Sequence, residues 1–508
     1  MVPKQIITIL NILEDSGYEA YLVGGCVRNI LLNCEPKDWD ITTNAKPEEL
    51  LKLFPDPKFH SIYKNKFGTV TVMPKEWESL GIEITPFRIE GKYTDKRRPD
   101  EIKFAKTLEE DLKRRDFTIN AIALQNKNQN KRKRKNDNLK LKNYNIPTII
   151  INKKEWNIID LFGGIRDIKS KIIRAVGKSD DRFNEDALRM MRAIRFAVEL
   201  GFVIEDNALQ VIKKNALNLN FIAKERIRDE FIKIIKSPNP KQGIMTLYDI
   251  GLLKLIMPEL TAGIGEIQRG PHRYDIFTHN ARALKFASEY TSKMYLRLAA
   301  LFHDIGKKDT KNIEADGSIT FYNHPIIGAQ ITERILNRLR FPQKIIQKIT
   351  HLVKHHMFYY DTDKVTESGV RRLLTRIGKE NFEDFLILRK ADRQATPVPK
   401  AEPYRLRHLK YMVDKVSEDP LSRFQLVING NDILKELKIK ASPKIGLLIS
   451  ALLIEVIDDP KNNEKKYLLK RLHKLNKLSE KDLKEKSLAI REKKELRDKI
   501  LKQKHWVK

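Results

Sequence analysis

The sequence predicts an α+β multidomain protein, with a mixed α/β domain at the N-terminus and helical domains after it. Its 508 residues exceed what one hydrophobic core usually organises, so more than one domain is expected. Before Asp180, short segments rich in β-branched residues alternate with helical patterns, which is typical of α/β and α+β domains. Beyond Asp180, apolar residues recur at the spacing of amphipathic helices. The hydrophobic content of 41% is ample for several cores.

The charge of the chain indicates a polyanionic partner. A formal net charge of +31 and a pI near 9.7 favour phosphate binding, because neutralised phosphates release their counterions. A lysine-rich proteome would explain the same charge without such a partner. The two cysteines, Cys26 and Cys34, fit a reducing cytosol, since their spacing matches no disulfide framework or zinc site. We find no secretory signal and no apolar stretch long enough for a bilayer, so we expect a soluble, cytoplasmic protein with no membrane partner. The sequence leaves the oligomeric state open.

The first elements follow from the apolar spacing. Pro3–Ser16 predicts a helix with one apolar stripe, which Gly17 ends. Four strand candidates follow: Ala20–Val23, Asp38–Thr42, Thr69–Met73 and Gly81–Arg88. Asn126–Asn145 consists almost wholly of Lys, Arg, Asn and Gln, which predicts a disordered insertion in a surface loop. The final stretch, Lys461–Lys508, predicts one or two exposed basic helices.

A turn suited to phosphate follows the first strand. Gly24 and Gly25 would let backbone N–H groups approach a phosphate closely, and Arg28 would supply a charge-assisted fork. A tight turn without any ligand explains paired glycines as well, so this motif alone decides nothing.

Three carboxylates predict a metal centre. Asp38 and Asp40 stand two residues apart on a predicted strand, so their side chains would face the same way. Like charges this close need a cation, and Mg²⁺ held by carboxylates and substrate phosphates is the usual one. Such a pair can hold two metals that activate an attacking 3′-hydroxyl and stabilise leaving pyrophosphate. Glu83 alternates with apolar neighbours and would add a third carboxylate; an exposed strand residue is the alternative.

A pair of charges in the helical region predicts base recognition. Asp186 and Arg189 are three residues apart, so one helix would present an acceptor and a donor side by side. Adenine and cytosine offer an amino donor beside a ring-nitrogen acceptor and complement this pair, whereas guanine and uracil do not. An intrahelical salt bridge is the alternative.

Histidines and aspartates later in the chain predict a second metal site. Its main residues are His279, His303, Asp304 and Asp392. Side chains of this kind, gathered from separate helices, suit a divalent transition metal or magnesium that activates a water. His324 and His356 would extend the site to two metals. A cluster that only packs helices together is the alternative.

Together the motifs resemble the class II tRNA nucleotidyltransferase and bacterial poly(A) polymerase family. The matching segments occur in order along the chain: Tyr21–Arg28, Lys37–Asn44, Ile82–Arg88, Tyr93–Asp100, Asp111–Leu124, Asp160–Gly177 and Arg182–Phe196. This set is specific, because chance would have to supply every motif in order. One departure is Asn29, where the family often has aspartate. The change removes a charge near the metals but no expected ligand.

The resemblance implies an enzyme that adds CMP, CMP and AMP to the 3′ end of tRNA from CTP and ATP. Its head domain would be polymerase β-like and use Mg²⁺ at Asp38 and Asp40, and the protein itself would act as the template. Arg115 to Asn120 would lie along the sugar. The nucleotide-binding residues implied are Gly24, Gly25, Arg28, Arg115, Asp116, Asn120, Asp186, Arg189, Arg192 and Arg195.

The later part of the chain resembles HD-containing bacterial tRNA nucleotidyltransferases. Ala299–Lys307 is similar to the HD phosphohydrolase signature, and Phe321–Gly328, Leu352–Met357 and Gly430–Asp459 also fit. This implies hydrolysis of phosphomonoesters or cyclic phosphates with a metal such as Ni²⁺, Mn²⁺ or Mg²⁺. The implied domains are a head at 1–177 with its insertion at 126–147, an all-α neck at 178–255, an HD body at 256–400, a tail at 401–478 and a basic extension at 479–508.

Three alternatives stay open. A poly(A) polymerase or an enzyme adding only A shares the head motifs. An enzyme adding only C is disfavoured, because Asp95–Pro99 resembles the flexible loop associated with the switch to A. An HD phosphohydrolase with a vestigial head is disfavoured by the complete head motifs. A non-catalytic RNA-binding protein is disfavoured because both Asp38 and Asp40 are present.

Overall fold

The computed structural model describes most of the chain. The described residues are 2–63, 68–75, 77, 81–90, 102–127, 147–268, 274–358, 360–397, 404–417, 426–458 and 460–507. Nearly all of the predicted insertion and all of Asp95–Pro99 lie outside them. The chain forms two compact units, 1–354 with 391–397, and 355–390 with 398–508.

The N-terminal part of the first unit contains a large sheet. In chain order the first ten strands are β1 (Ala20–Val23), β2 (Asp40–Thr43), β3 (Phe59–Tyr63), β4 (Val70–Pro74), β5 (Ile82–Pro86), β6 (Arg88–Glu90), β7 (Ile102–Phe104), β8 (Ile122–Asn126), β9 (Thr148–Ile151) and β10 (Lys154–Asp160). Within the described ranges, eight of them form one sheet in the order β3-β4-β5-β2-β1-β8-β10-β9, and β6 pairs with β7. The four predicted strands are confirmed, although β2 begins at Asp40 rather than Asp38.

The centre of the sheet positions the carboxylates. Strand β1 is buried along its whole length, as its apolar sequence requires, and lies between β2 and β8. Strand β2 runs antiparallel to β1 and parallel to β5, so that Asp40 lies directly opposite Glu83. In β5 the neighbours of Glu83, Ile82 and Ile84, are fully buried, whereas Glu83 is half-buried. Alternation along the strand therefore turns Glu83 away from the core and towards the open face.

Short helices complete the head. They are α1 (Lys4–Asp15), α2 (Gly25–Leu31), α3 (Pro47–Leu53), α4 (Leu108–Lys113), a 3₁₀ turn at Thr118–Asn120, and α5 (Gly164–Ser170). Helix α1 confirms the predicted helix and buries its apolar stripe. Thr107 is the N-cap residue of helix α4. Its hydroxyl accepts from the Glu110 N–H, and its own N–H donates to the Glu110 carboxylate, a capping box that fixes the first turn.

The remainder of the first unit is helical. Its helices are α6 (Ser179–Glu185), α7 (Leu188–Leu200), α8 (Asp206–Asn215), α9 (Lys224–Lys236), α10 (Pro240–Asp249), α11 (Leu252–Ile256), α12 (Pro258–Thr261), α13 (Ile276–Tyr290), α14 (Met294–Phe302), α15 (His324–Arg338) and α16 (Gln343–His355). Two 3₁₀ segments lie at Ala216–Phe221 and Ile305–Thr310. The all-α prediction needs one correction, because short strands pair here: β11 (Ile172–Ile173) with β12 (Val203–Ile204), and β13 (Asn312–Ile313) with β14 (Ile319–Thr320).

The second unit is helical where it is described. Its helices are α17 (Glu367–Ile377), α18 (Phe382–Ala395), α19 (Tyr404–Ser417), α20 (Gly430–Leu437), α21 (Pro443–Asp458), α22 (Lys465–Leu475) and α23 (Glu480–His505), with α18 ending in the first unit. Leu448 and Leu452 of α21 pack with Leu468 and Leu472 of α22 in one apolar cluster. The predicted basic helices at the end of the chain are confirmed as α22 and α23. Within the described ranges, none of the helices has both the length and the apolar character of a membrane span.

Replacing Gly164 by alanine is expected to destabilise the head. An ideal Cβ there would lie 2.3 Å from the Thr118 carbonyl oxygen and 2.8 Å from Cγ1 of Ile122, so the backbone must move. Overpacking of this kind typically costs about 1–3 kcal/mol. Thermal unfolding measures the loss, with Gly446→Ala as control, because a methyl group on Gly446 meets no atom within 4 Å. An unchanged melting temperature for Gly164→Ala would contradict this packing.

Candidate active site

The turn after β1 needs glycine for two reasons. Gly24 has a φ of +79°, which side chains other than glycine rarely adopt. A Cβ on Gly24 would also lie 3.1 Å from Oδ2 of Asp40 and 3.2 Å from Nη1 of Arg115. The turn therefore brings the backbone close to the Asp40 carboxylate and the Arg115 guanidinium, which line the same cavity.

The carboxylates of the head are only partly assembled. Asp40 and Glu83 are adjacent across the parallel pair β2–β5 and line a cavity of about 320 Å³ with Thr69 and Thr85. Asp38 is exposed and lies in a bend before β2, so the strand that was predicted to align it with Asp40 does not include it. Asp40 and Glu83 fit the one or two carboxylate ligands that Mg²⁺ usually takes, with phosphates supplying others.

Arginines join this cavity to a second one. Arg88, Arg114 and Arg115 line the first cavity and also a second cavity of about 480 Å³. Asp111, fully buried, accepts from Nε of Arg114 at 2.9 Å and from Nη2 of Arg115 at 3.2 Å. Burial alone would raise the pKa of the Asp111 carboxyl, but Arg114 and Arg115 hold it below its ordinary value. Sequence reasoning gave Asp111 no role, since only tertiary structure shows that it holds both arginines.

The second cavity collects most of the predicted nucleotide-binding residues that follow Arg28. Its lining comprises Arg88, Arg114, Arg115, Asp116, Asp186, Leu188, Arg189, Arg192, Arg226, Asp229, Glu230 and Lys233. Five of the predicted nucleotide-binding residues are among them. The cavity brings together residues of four parts of the chain: β6, the segment that follows α4, helix α7 and helix α9. The mixture of arginines and carboxylates suits a ligand that carries both phosphates and hydrogen-bonding groups.

A chain of hydrogen bonds connects the glycine turn to this cavity. Nη1 of Arg28 donates to Oδ1 of Asn120 at 2.7 Å, and Nδ2 of Asn120 donates to Asp116 at 3.2 Å. Nε of Arg192 donates to the other Asp116 oxygen at 2.8 Å. Burial would raise the pKa of Asp116, but Arg192 above all keeps it well below its ordinary value. The carboxylate is therefore ionised and fixed in position.

Phe196 organises three of the predicted arginines. The guanidinium carbons of Arg28, Arg192 and Arg195 lie 5.1, 5.3 and 4.1 Å from the centre of its ring. Nε of Arg195 also lies 3.2 Å from Glu230, and Arg195 is only 8% exposed. Arg195 is not among the described residues that line the second cavity. Arg195 lies against Phe196 and Glu230, and its role in nucleotide binding stays a prediction.

The predicted base-recognition pair differs from expectation. Asp186 ends α6 in an extended conformation, and α7 begins only at Leu188, so the prediction that Asp186 and Arg189 share one helix is wrong. Nη1 of Arg189 donates to Glu185 at 2.6 Å instead. Asp186 pairs with Arg226 of α9, at 2.7 Å from Nη2 to Oδ2. Both predicted residues still line the cavity, but Arg226 was missed, because no local motif connects residues 40 positions apart.

The predicted second metal site is assembled. One ligand atom from each of His279, His303, Asp304 and Asp392 lies within 4.8 Å of all the others. The two imidazole Nε2 atoms are 3.2 Å apart, and Nε2 of His279 is 3.2 Å from Oδ1 of Asp392. Nδ1 of His303 is 2.9 Å from the Ala300 carbonyl, so a proton on Nδ1 leaves Nε2 with a lone pair for a metal.

The electrostatics of this cluster favour a cation. Burial would lower the pKa of His303, but Asp304 and Asp392 raise it to about 10. The pKa values of both aspartates lie well below the ordinary range, although burial alone would raise them. His303 and Lys307 lower the pKa of Asp304. His279 and His303 lower the pKa of Asp392. The buried Asp304 and the largely buried Asp392 thus require positive charge beside them, and the donor set of two imidazoles and two carboxylates fits a divalent metal.

The two additional histidines are placed differently. Nε2 of His324 is 3.4 Å from Oδ1 of Asp304, and its Nδ1 is 2.7 Å from the Phe321 carbonyl, an orientation suited to metal binding. His356 is buried and belongs to the second unit, so its part in a second metal site stays a prediction.

Three segments of the chain match known protein-family models. Residues 20–174 match "Poly A polymerase head domain", residues 201–264 match "Probable RNA and SrmB- binding site of polymerase A", and residues 276–396 match "HD domain". The last segment contains all four residues of the assembled metal site.

Curated proteins and solved structures extend the similarity. A CCA-adding enzyme of Ligilactobacillus salivarius is 31% identical over 476 residues, which are 93% of this chain and 96% of that protein. A CCA-adding enzyme of Lactobacillus helveticus is 43% identical over 244 residues, 48% of this chain and 53% of that protein. The crystal structure of the Bacillus stearothermophilus CCA-adding enzyme in complex with CTP is 26% identical, with a TM-score of 0.56, over 95% of this chain and 100% of that chain.

Asp111→Asn is expected to destabilise the protein by about 1–3 kcal/mol at neutral pH, because two arginines lose their charged acceptor. The pKa of Asp111 is depressed in the folded state, so its contribution is present above the unfolded pKa of about 3.9 and is lost as the pH falls through the folded value. We therefore expect the difference in unfolding free energy between wild type and Asp111→Asn, measured with urea, to be smaller below about pH 4 than at neutral pH. Asp181→Asn, an exposed position in α6, is the control. A difference independent of pH would contradict this account.

Proposed function

The chain belongs to the family of CCA-adding enzymes, and we propose that it adds CMP, CMP and AMP to the 3′ end of tRNA from CTP and ATP, releasing pyrophosphate. The observation that carries the proposal is the pair of cavities that share Arg88, Arg114 and Arg115. One cavity holds acidic residues suited to metal-assisted chemistry, and the other holds groups that can read a base. A nucleoside triphosphate lying across the shared arginines would reach both. Cytoplasmic tRNA is the expected substrate.

We assign roles in the head residue by residue. Asp38, Asp40 and Glu83 would hold Mg²⁺, whose charge, when bound, would stabilise the attacking 3′-hydroxyl and the leaving pyrophosphate. Gly24 and Gly25 would let the backbone approach the triphosphate. Arg28 would neutralise part of its charge, as an arginine already held in place by Asn120.

The sugar and base would lie in the second cavity. Asp116 and Asn120 are fixed by Arg192 and Arg28 and would bond the ribose hydroxyls. Asp186 would accept from the exocyclic amino group that cytosine and adenine share, and Arg189 would donate to the neighbouring ring nitrogen. Since Asp186 and Arg189 belong to the protein, no nucleic-acid template is needed for this choice.

The RNA would be held mainly through its phosphates. The net charge of +31 provides an attraction that does not depend on base sequence. This suits a substrate set of many tRNAs that share an acceptor end. Segment 201–264, which matches a model described as an RNA-binding site, is where we place part of this contact.

The three head carboxylates are expected to be essential for addition. Asp38→Asn, Asp40→Asn and Glu83→Gln each remove a proposed metal ligand, and several kcal/mol of lost charge stabilisation corresponds to a decrease in kcat of about 100-fold or more. Incorporation of labelled CMP into tRNA ending before CCA, measured in single turnover with magnesium, tests this. Glu48→Gln, an exposed glutamate of α3, is the matched control and should retain full activity. Full activity of Asp40→Asn would refute the assignment.

We propose metal-dependent phosphohydrolysis of phosphomonoesters or cyclic phosphates as a second activity. Its support is the cluster of His279, His303, Asp304 and Asp392, whose ligand atoms converge in this chain. A metal there, such as Ni²⁺, Mn²⁺ or Mg²⁺, would supply an activated water. Lys307 lies 2.6 Å from Asp304 and would keep that carboxylate oriented.

His303→Ala is expected to remove both the bound metal and the phosphohydrolase activity, because the side chain provides a central ligand of a preassembled site. Metal content after dialysis, measured by mass spectrometry, and hydrolysis of a cyclic phosphate are the two readouts. His473→Ala changes a half-exposed histidine on α22 and should leave both unchanged. Wild-type protein that binds no metal and hydrolyses no phosphate ester would leave the cluster with a packing role only.

A further inference from the structure

We propose that Arg226 is a positioning residue for nucleotide selection, acting by holding the Asp186 carboxylate in place. Nη2 of Arg226 lies 2.7 Å from Oδ2 of Asp186, and Nη1 lies 3.4 Å from Oδ1. Arg226 is on α9, which packs against α7, and both Arg226 and Asp186 line the second cavity. The inference rests on the function proposed above, in which Asp186 reads the base.

The position of Asp186 in the chain explains why it needs such support. It lies in the break between α6 and α7, with φ −136° and ψ 102°, so regular helix geometry does not direct its side chain. The Leu188 N–H donates to Oδ1 at 3.1 Å, which fixes one oxygen from the start of α7. Arg226 fixes the other oxygen from α9. A carboxylate has about four acceptor positions, so one held at both oxygens can still accept from a base.

Among the described ion pairs, Asp186 pairs with Arg226, and Arg189 pairs with Glu185. Arg189 donates to Glu185 at 2.6 Å and to the carbonyl of Arg114 at 3.1 Å, and its side chain is 10% exposed. The side chain of Arg226 is 33% exposed and lies at the cavity. The two arginines thus have different roles. Arg189 is held in place by Glu185 and the Arg114 carbonyl, whereas Arg226 holds the Asp186 carboxylate in place.

Orientation of this acceptor decides which bases bind well. Cytosine and adenine present an amino donor, which a fixed carboxylate accepts, whereas uracil and guanine present a carbonyl oxygen, which it repels. Without Arg226, the Asp186 carboxylate can turn away from any of the four bases. Its attraction to the amino groups and its repulsion of the carbonyl oxygens then weaken together. We therefore expect kcat/KM for CTP and ATP to fall roughly 10- to 100-fold in Arg226→Gln, while UTP and GTP change much less.

The test compares four nucleotides on two RNA ends. The full-length chain would extend tRNA ending before CCA with CTP or UTP, and tRNA ending in CC with ATP or GTP, in single turnover. The variants are Arg226→Gln, Arg226→Lys, Asp186→Asn and the double variant Asp186→Asn with Arg226→Gln. Arg338→Gln is the matched control, because Arg338 of α15 makes a comparable pair with a carboxylate, at 2.6 and 2.7 Å from Glu259, and does not line the cavity. Melting temperatures verify that each variant is folded.

We expect Arg226→Gln to lose discrimination, Arg226→Lys to recover part of it, and Arg338→Gln to discriminate as the wild type does. The double variant should discriminate no worse than Asp186→Asn alone, since Arg226 acts through Asp186. Equal losses for all four nucleotides would overturn the proposal and indicate that Arg226 contacts phosphates. Unchanged discrimination in Arg226→Gln would also overturn it. Failure of the wild type to extend either RNA would instead refute the proposed function itself.

Discussion

The buried carboxylate of Asp111 holds Arg114 and Arg115, two of the three arginines that line both cavities, and the site depends on this ion pairing. Guanidinium groups gathered for a triphosphate repel one another when no phosphate is present. A carboxylate placed behind them offsets this repulsion and fixes their direction. Two further pairs follow the same arrangement: Asp116 with Arg192, and Asp186 with Arg226. The cavity is therefore organised for a polyanion before one binds.

The two proposed metal sites differ in how completely the protein builds them. In the HD body the four ligand atoms already converge, and the histidines and Asp304 are buried. In the head, Asp40 and Glu83 are neighbours across β2–β5, whereas Asp38 is exposed. Metal binding in the head should therefore depend on the triphosphate, which brings further oxygen ligands with it. This suits a site that must exchange its nucleotide at every addition.

Local pattern predicted the elements well, and tertiary contacts account for what it missed. Helix α1 and strand β1 follow from apolar spacing alone, and β1 has the predicted bounds. Asp38 fell outside its strand, and Asp186 fell in a helix break, because hydrogen bonding and caps rather than periodicity decide where elements end. Asp111 and Arg226 could not be assigned, since their roles arise from side chains that only the folded chain brings together. Five of the ten residues that the family motifs predicted to bind nucleotide nevertheless line the second cavity.

The proposed function requires that protein side chains choose the nucleotides and set the number of additions. The most direct measurement incubates the full-length chain with magnesium, all four nucleoside triphosphates and a tRNA that ends before CCA, and sequences the 3′ ends of the products. We expect RNA that ends in CCA, with no further addition. Long runs of A on this or unrelated RNA would contradict it, as would incorporation of U or G at a rate comparable to that of C and A.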